Sequence, residues 1–180
     1  YFAPDNKEVG RITHLPKGTA ENAATYIHAT LFAIWSLFNV GEDEEAWKQI
    51  GKILPLTHDF ISTTPFVMPN SYIYNEEYGF DGESMSDWFT GSGCVLVKVL
   101  FFCVFGVKAN LDGLTVNPPK EIPFKEMSTE IRVKGGILHI VYKKTSVGRR
   151  KILVNGIEVK SVVLTNADVC GKTLKIEISE

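Results

Sequence analysis

Apolar residues recur at helical spacing through the first part of the chain. Between positions 22 and 40 they cover most sides of a predicted helix, and Gly41 follows as a stop signal. A helix that is apolar on most sides is expected to be buried. Asp43 is placed to cap a second helix, whose apolar residues keep this spacing to Ile53 before Pro55 ends it. The pattern therefore predicts a helical hairpin.

An irregular segment, residues 55–91, follows the hairpin. It is rich in Pro, Gly, Ser, Asn and aromatic residues and shows no sustained period, and irregular segments this long inside a compact domain usually carry function. The next apolar run, residues 95–105, is compatible with a buried strand or a helix. Its length and the stop at Gly106 favour a third helix.

Short β-rich runs replace the helical pattern after Asp112 and Gly113. Asn155 and Gly156 join two of these runs, and both tolerate the positive φ that the two central positions of a type I′ turn need. Four or more antiparallel strands predict a small β-sandwich or roll. The runs are residues 114–116, 128–133, 137–143, 151–154, 157–164 and 174–178.

The charge changes where the pattern changes. Residues 1–110 carry a net charge of −6, whereas residues 111–180 carry a net charge of +4. The chain of 180 residues is 44% hydrophobic and 22% charged, which excludes a disordered chain, a coiled coil and collagen. We therefore predict an α+β fold with two domains, residues 1–110 and residues 111–180, the second of them a small antiparallel β-domain.

The apolar runs, the cysteines and the basic residues limit the partners. The strongest apolar run has 11 residues, whereas a membrane helix needs about 20, so no membrane partner is predicted. Cys94, Cys103 and Cys170 are an odd set, which favours buried thiols in a reducing compartment and hence a cytoplasmic location. Basic residues between positions 143 and 151 straddle a turn in an acidic chain, which favours a solvated hairpin end over a nucleic-acid surface.

Two features could bind an anion. The spacing shows no zinc, Walker, Rossmann or nucleophile-elbow motif. His28 on the predicted buried helix is compatible with a ligand-binding or a structural histidine. Residues 87–93, DWFTGSG, lead into the third helix, where free N–H groups, glycines and the hydroxyls of Thr90 and Ser92 would form a phosphate cradle. An ordinary helix cap explains the same residues.

The irregular segment also holds carboxylates and aromatic rings. Asp81, Glu83 and Asp87 could be paired carboxylates for glycoside chemistry, or they could bind backbone N–H groups and sugar hydroxyls. The aromatic side chains suit stacking on a sugar ring or packing in a core. They are Phe66, Tyr72, Tyr74, Tyr78, Phe80 and Trp88.

Several short motifs together resemble a known family. In chain order they are ENAATYIH at 21–28, PFVMPN at 65–70, GE at 82–83, DWFTG at 87–91, LDGL at 111–114 and NP at 117–118. Their order and spacing resemble the C-terminal quarter of the inverting phosphorylases of glycoside hydrolase family 94, the cellobiose phosphorylase group. The resemblance covers about residues 20–145. MPNSY at 68–72 and GFDGESMSDW at 79–88 look most like the 1,2-β-oligoglucan phosphorylase branch.

This resemblance implies a chain that ends an (α/α)6 barrel and then forms a C-terminal β-domain. It also implies site residues. Phosphate would be bound by His28, Asn70, Thr90, Gly91 and Ser92, and sugar by Tyr26, Glu83 and Trp88. Ala23 and Ala24 stand where the family usually has two glycines, and Asn70 stands where some members have Gln.

The reaction that the resemblance implies is phosphorolysis of a β-glucosidic bond to give α-glucose 1-phosphate. Phosphate is already an anionic nucleophile, so the enzyme needs a cradle for it and one general acid. The family's general acid is an aspartate in an earlier barrel segment, so no catalytic residue is expected among these residues. The implied partners are phosphate as co-substrate, a β-glucan oligosaccharide or disaccharide, and the rest of the barrel, with no metal or other cofactor.

Two other function classes stay open. One is a hydrolase on the same (α/α)6 scaffold. The other is a non-catalytic carbohydrate-binding module, which the aromatic segment and the β-domain could form. Production of glucose 1-phosphate that depends strictly on added phosphate separates the phosphorylase from both.

Overall fold

A computed structural model describes residues 1–4, 6–57, 65–79, 81–145 and 148–180. The chain forms two compact units, Tyr1–Val99 and Leu100–Glu180. Helices dominate the first unit and strands the second, which confirms the α+β class. The boundary near position 110 and the (α/α)6 barrel stay predictions. No helix in the described ranges is long and apolar enough to cross a bilayer.

Helix α1, Ile27–Val40, starts later than the prediction. Position 22 is not helical, because Ala23 has a φ of +79° and Thr25–Tyr26 form a short strand, β1. The predicted stop is confirmed, since Gly41 adopts a φ of +85° and its N–H donates to the carbonyl of Phe38. The first helical turn therefore begins directly beside a strand.

The apolar surface of α1 is narrower than predicted. Ile27, Leu31 and Ile34 are buried on one face, which packs against helices α2, Asp43–Ile53, and α3, Ser92–Val99. Phe32, in contrast, is 53% exposed. The prediction of a helix buried on most sides is therefore wrong for α1 within the described residues. The helix has an exposed aromatic surface beside its buried face.

The predicted cap of α2 is also wrong. Asp43 is the first helical residue and Glu42 occupies the N-cap position, where its side chain makes no capping hydrogen bond. Glu44 and Glu45 follow in the first turn, where negative charge interacts favourably with the helix dipole. The helix ends at Ile53 before Pro55, as predicted.

A small sheet that the sequence did not predict connects the irregular segment to α1. It contains β1, β2 (Ser71–Tyr72) and β3 (Ser84–Met85) in antiparallel order. Each strand has two residues, too few to produce a visible period of two. Short 3-10 helices at Gly10–His14, Pro55–Thr57 and Glu76–Tyr78 complete the first unit. The sheet brings the start of α1 next to residue 70.

The third predicted helix is confirmed, but it begins at Ser92 and changes geometry. Helix α3 is followed in the second unit by a π-helix, Leu100–Val104. Gly106 then adopts a φ of +65° as the chain turns into strand β4, Val107–Ala109. The predicted stop at this glycine is therefore also confirmed.

The prediction of three buried thiols is wrong for two of them. Cys103 is buried, whereas Cys94 and Cys170 are exposed, and all three thiols are free. Helix α3 buries Ser92, Val95 and Val99, so Cys94 lies on its other face.

The second unit is built from two sheets. After β4, its elements are β5 Gly113–Val116, β6 Glu126–Val133, β7 Gly136–Lys143, β8 Lys151–Val154, β9 Ile157–Val159, β10 Val162–Thr165, α4 Asn166–Val169 and β11 Thr173–Ser179. In the first sheet, β4 and β10 pair antiparallel on either side of β5. The second sheet has the order β6-β7-β11-β8-β9.

Two predictions about this unit are wrong. The sheet is not wholly antiparallel, because β11 pairs parallel with β7 from Thr173 opposite Ile137 onward. A parallel pair needs a long crossover, and the chain between these strands includes three other strands and α4. The run 157–164 is not one strand, because β9 and β10 belong to different sheets.

The core of the second unit and its main turn follow the predicted pattern. Buried residues alternate along β7, where Leu138, Ile140 and Tyr142 face a cluster that both sheets share. Asn155 and Gly156 have φ of +48° and +82° between β8 and β9, which confirms the predicted hairpin turn.

Candidate phosphate-binding site

His28 lies in the first turn of α1, between an aromatic ring and a glycine. Its ring stacks on Phe32, one turn later, with the centroids 5.3 Å apart and the planes at 22°. On the other side, a Cβ placed on Gly91 would be only 3.2 Å from Cε1 of His28. His28 is half-buried, so the imidazole is held in place at the surface of the unit.

Thr90, Gly91 and Ser92 form the turn that begins α3. The hydroxyl of Thr90 accepts a hydrogen bond from the N–H of Ser92 at 3.1 Å and lies 2.7 Å from the hydroxyl of Ser92. Gly91 occupies the N-cap position, since its carbonyl accepts from the N–H of Val95 at 3.0 Å, and Thr90 precedes it. Ser92 is fully buried and its N–H already has a partner, so this residue faces away from any ligand at the surface. The other N–H groups of the first helical turn have no partner within the helix.

Asn70 joins three segments of the first unit. Its carbonyl accepts from the N–H of Ile27 at 2.9 Å, and its own N–H donates to Met85 at 3.1 Å. Its side-chain amide donates to the carbonyl of Phe89 at 3.3 Å. Asn70 is thus bonded to the residue before His28 and to the residue before Thr90. The five residues predicted to bind phosphate lie together, although their binding role stays a prediction.

A cavity of about 590 Å³ lies beside these residues, and we call it the Tyr26 cavity. Of the three residues predicted to bind sugar, only Tyr26 lines it. Glu83 is half-buried elsewhere and Trp88 is 73% exposed outside the lining. The lining residues are Ala20, Glu21, Ala23, Ala24, Tyr26, Asn70, Ser86 and Phe89. A larger cavity of about 800 Å³ in the second unit contains no residue predicted to act in binding.

The carboxylates of the irregular segment do not face one substrate together. Asp81 is exposed and Glu83 half-buried, whereas Asp87 is 6% exposed. Oδ2 of Asp87 accepts from the hydroxyl of Ser84 at 3.1 Å, and Oδ1 is buried with no hydrogen-bond partner among the described residues. Asp87 therefore supports the turn that leads to Thr90 from inside the unit.

Tyr72 is buried and is influenced by the charge of Asp87. Burial, and secondly the charge of Asp87, raise the pKa of Tyr72 to about 12. The hydroxyl of Tyr72 donates to the carbonyl of Ile53 at the end of α2. Of the other aromatic residues considered for stacking, Phe66 and Tyr74 are exposed, while Phe80 and the side chain of Tyr78 lie outside the described residues.

Sequence reasoning missed Asn22. This side chain is 1% exposed, and its Oδ1 accepts from the N–H of Phe2 at 2.7 Å. Its amide donates to the carbonyls of Leu15 at 2.9 Å and Phe2 at 3.3 Å. Asn22 thereby holds the loop that forms one wall of the Tyr26 cavity. An asparagine directly before two alanines in the ENAATYIH motif was the signal that could have identified it.

Comparison with known proteins gives one family. Residues 1–106 match the family model described as glycosyl hydrolase 94 superfamily, catalytic domain. A 3-O-beta-D-glucopyranosyl-beta-D-glucuronide phosphorylase of Paenibacillus borealis is 28% identical over 163 residues, which are 86% of this chain and 21% of that protein. An N,N'-diacetylchitobiose phosphorylase of Vibrio furnissii is 26% identical over 184 residues, 98% of this chain and 22% of that protein.

A third relative is named for a different activity. The cyclic beta-(1,2)-glucan synthase of Rhizobium meliloti (strain 1021) is 26% identical over 136 residues, 72% of this chain and 5% of that protein. The chain spans about a fifth of the length of the two phosphorylases that it matches. Because the family model covers more than half of the 180 residues, this chain belongs to the glycosyl hydrolase 94 superfamily.

Proposed function

We propose that this chain is the C-terminal part of an inverting glycoside phosphorylase. The longer protein would cleave a β-glucosidic bond with inorganic phosphate and release α-glucose 1-phosphate. Residues 1–110 would complete an (α/α)6 barrel and supply the phosphate cradle. Membership of the family and the phosphorylase names of two relatives support this reaction type.

The observation that carries the proposal is the contact between His28 and Gly91. These residues are 63 positions apart in the sequence, yet a Cβ on Gly91 would be 3.2 Å from the imidazole. The glycine leaves the backbone at the start of α3 open beside the ring. A phosphate there could interact with the imidazole, with N–H groups of the first helical turn and with the partial positive charge of the helix start.

In the proposed reaction, these residues need only bind and orient phosphate. Phosphate attacks the anomeric carbon on the face opposite the leaving sugar, and the bond from that carbon to the leaving oxygen breaks. A general acid outside this chain donates the proton to the leaving oxygen. His28, Thr90, Gly91 and Asn70 hold and orient the anionic nucleophile, so they contribute by positioning and electrostatics.

The Tyr26 cavity is the place we propose for the transferred glucosyl residue, because this residue lies next to phosphate, with the leaving sugar on its opposite face. It adjoins the cradle through Asn70 and offers an aromatic ring, since Tyr26 is 47% exposed and its ring centroid lies 6.1 Å from that of His28. Glu83 and Trp88 would contact more distant parts of an oligosaccharide. Two motifs, MPNSY and GFDGESMSDW, and the relative acting in (1,2)-glucan synthesis favour a β-1,2-linked glucan as substrate.

The experiment is an assay of the longer protein on β-linked gluco-oligosaccharides with and without added phosphate. We expect α-glucose 1-phosphate only when phosphate is present, and no release of free glucose in its absence. Release of glucose without phosphate would identify a hydrolase. Binding without turnover would identify a carbohydrate-binding module. The three free thiols fit the cytoplasmic location that we also propose.

A further inference from the structure

The imidazole of His28 is oriented by neighbouring rings. Phe32 stacks on it, with the centroids 5.3 Å apart and the planes at 22°, and Tyr26 meets it edge-on, with the centroids 6.1 Å apart and the planes at 62°. Within the residues that the structure describes, the imidazole makes no hydrogen bond and no ion pair. Histidines that bind a ligand are commonly oriented by a hydrogen bond to the second ring nitrogen. Here the face-to-face contact with Phe32 takes that part.

The position of Phe32 follows from helix geometry. Residues four apart lie on the same side of a helix, and a long helical side chain leans toward the preceding turn. Phe32 therefore covers the turn that carries His28. The backbone of α1 is fixed in turn by its core face, because Ile27, Leu31 and Ile34 are 0% exposed. The packing of the helix thus fixes the place from which Phe32 supports the imidazole.

Phe32 contributes less to the core than the next phenylalanine of the same helix. It is 53% exposed, whereas Phe38 is half-buried and packs edge-on against Trp47, with the centroids 5.7 Å apart. A smaller apolar side chain at position 32 is therefore expected to affect the contact with His28 more than the stability of the helix.

The orientation of the imidazole matters because the start of α3 is close. A Cβ on Gly91 would be only 3.2 Å from Cε1 of His28, so a small rotation of the ring changes its distance to this turn. Stacked rings resist such a rotation, because each ring limits the tilt of the other. An imidazole that donates to an anion gains positive charge, and the face of an aromatic ring attracts a cation. The stack therefore favours both the geometry and the charge that anion binding needs.

We propose that Phe32 is a positioning residue for phosphate, whose ring holds the imidazole of His28 in the orientation that binds the anion. The proposal rests on the proposed function, in which His28 contributes to the phosphate cradle. In this role Phe32 acts through His28 and does not take part in the bond-breaking step. Loss of the aromatic ring therefore weakens the binding of phosphate and leaves turnover at saturating phosphate unchanged.

The test measures phosphorolysis by the longer protein at varied concentrations of phosphate and of a β-linked gluco-oligosaccharide. In Phe32→Leu, we expect the KM for phosphate to rise about 3- to 10-fold, because the stacking contribution is lost. The kcat and the KM for the oligosaccharide should stay within a factor of about two, since neither depends on the phosphate orientation. Phe32→Tyr keeps the ring and should keep the wild-type KM for phosphate.

Phe38→Leu is the matched control, because it removes an aromatic pair from the other end of the same helix. Its KM for phosphate should equal that of the wild type, although its thermal midpoint falls at least as far as that of Phe32→Leu. A wild-type KM for phosphate in Phe32→Leu would overturn the proposal. An equal increase in Phe38→Leu, or in Phe32→Tyr, would also overturn it, because the effect would then not come from a ring stacked on His28.

A double-mutant cycle tests whether Phe32 acts through His28. Added to His28→Ala, the change Phe32→Leu should not alter kcat/KM for phosphate further, because the contact is already absent. A merely structural role of Phe32 predicts the opposite, a second loss that adds to the first. Such an additive loss would overturn the positioning role.

A spectroscopic measurement needs no change at position 32. The Cε1–H signal of His28, identified by its absence in His28→Ala, should lie upfield of the signal of an exposed histidine, because the ring current of Phe32 shields it. It should stay upfield after inorganic phosphate is added. A signal at the position of an exposed histidine, with or without phosphate, would show that the two rings do not stack and would overturn the proposal.

The outcomes distinguish this inference from the function on which it rests. If His28→Ala weakens phosphate binding but Phe32→Leu does not, only the role of Phe32 fails. If the wild type forms no α-glucose 1-phosphate with phosphate, or if His28→Ala keeps wild-type phosphate kinetics, the proposed cradle fails and this inference fails with it.

Discussion

The two units of the chain hold their important residues in place by different means. In the second unit, alternating apolar side chains from two sheets share one cluster, in which Leu138, Ile140 and Ile176 are at most 2% exposed. In the first unit, the candidate site is assembled from strands of two residues and from side-chain amides that bond to the backbone of other segments. Apolar contacts are non-directional, whereas hydrogen bonds fix distance and angle.

Because of this difference, we expect the second unit to determine mainly the free energy of unfolding and the polar contacts of the first unit to determine mainly the positions of the site residues. A change in the second unit is expected to alter the free energy of unfolding and leave the phosphate site unchanged. A change among the polar contacts of the first unit is expected to move site residues by fractions of an ångström. The predictions below test that separation.

The largest expected effect comes from isolating the 180 residues. The purified chain alone should show no phosphorolysis, because in the proposed enzyme the aspartate that acts as general acid belongs to an earlier part of the barrel. The measurement is glucose 1-phosphate formation by this chain without any complementing polypeptide. Detectable turnover would mean that a general acid lies within these residues, and the roles assigned to them would have to be revised.

Leu138→Ala tests the apolar core of the second unit. Removal of a fully buried leucine side chain should lower the free energy of unfolding by about 2–5 kcal/mol. The KM for phosphate of the folded longer protein should stay within a factor of about two, because an apolar side chain in the second unit contributes to packing and not to the cradle. Val163→Ala is the control, since Val163 is exposed in the same unit and should change stability little. An increased KM for phosphate in Leu138→Ala would contradict the separation.

The free energy of unfolding at alkaline pH tests the buried polar contacts of Tyr72 in the first unit. The pKa of Tyr72 is raised to about 12, above the value of about 10 for an unfolded tyrosine. The folded state therefore holds this proton more tightly, so its contribution is complete below pH 10 and is lost as the pH rises toward 12. The loss amounts to at most about 2.7 kcal/mol for two pKa units.

Unfolding free energies at several alkaline pH values check this for the longer protein. Tyr72→Phe should show a shallower decline above pH 10 than the wild type, although it also loses the bond to Ile53. Tyr74→Phe is the matched control, because Tyr74 is exposed two residues away, and it should decline as the wild type does. Identical slopes for Tyr72→Phe and the wild type would contradict the prediction.

His28→Ala should affect phosphate kinetics more than stability. A charge-assisted hydrogen bond contributes roughly 1.5–3 kcal/mol, so kcat/KM for phosphate should fall by about 10- to 150-fold. His139→Ala is the control, since His139 lies on β7 of the second unit, 3.4 Å from the Glu130 carboxylate, and should leave phosphate kinetics unchanged. Normal phosphate dependence in folded His28→Ala would assign this histidine a purely structural role.

The same contrast explains how much the sequence could predict. Strands β7 and β8 were predicted to within a residue, because apolar alternation is a local signal and Asn155 with Gly156 defines a turn. The parallel direction of β11 was not predictable from its own residues, because direction depends on where the long crossover returns. Local signals therefore gave the elements of the second unit but not their arrangement.

In the first unit, local signals predicted His28 and residues 87–93 as separate anion-binding candidates, and only the order of the motifs joined them with Asn70 in one predicted site. The residues around His28 have no period that would reveal strands of two residues or a loop with positive φ. The helical spacing of the apolar residues predicted a helix that included Ala23, whereas the backbone there is not helical. A single sequence does not show that the side chain of Asn22 is buried and holds this backbone in another conformation. Polar contacts between distant segments leave no periodic trace, and these are the contacts that form the site.

Gly91→Ala gives the smallest expected effect and is the most local test. The new Cβ would lie 3.2 Å from Cε1 of His28, so the imidazole must move by a few tenths of an ångström. A displacement of that size should reduce kcat/KM for phosphate by about 10-fold or less, and the larger Gly91→Val should reduce it further. Gly93→Ala is the control, because a Cβ there meets nothing within 4 Å and alanine favours the helix by up to about 1 kcal/mol. Gly93→Ala should therefore keep wild-type phosphate kinetics and unfold at an equal or higher temperature. If both alanine variants bind phosphate as the wild type does, the start of α3 serves as a helix end and the anion binds elsewhere.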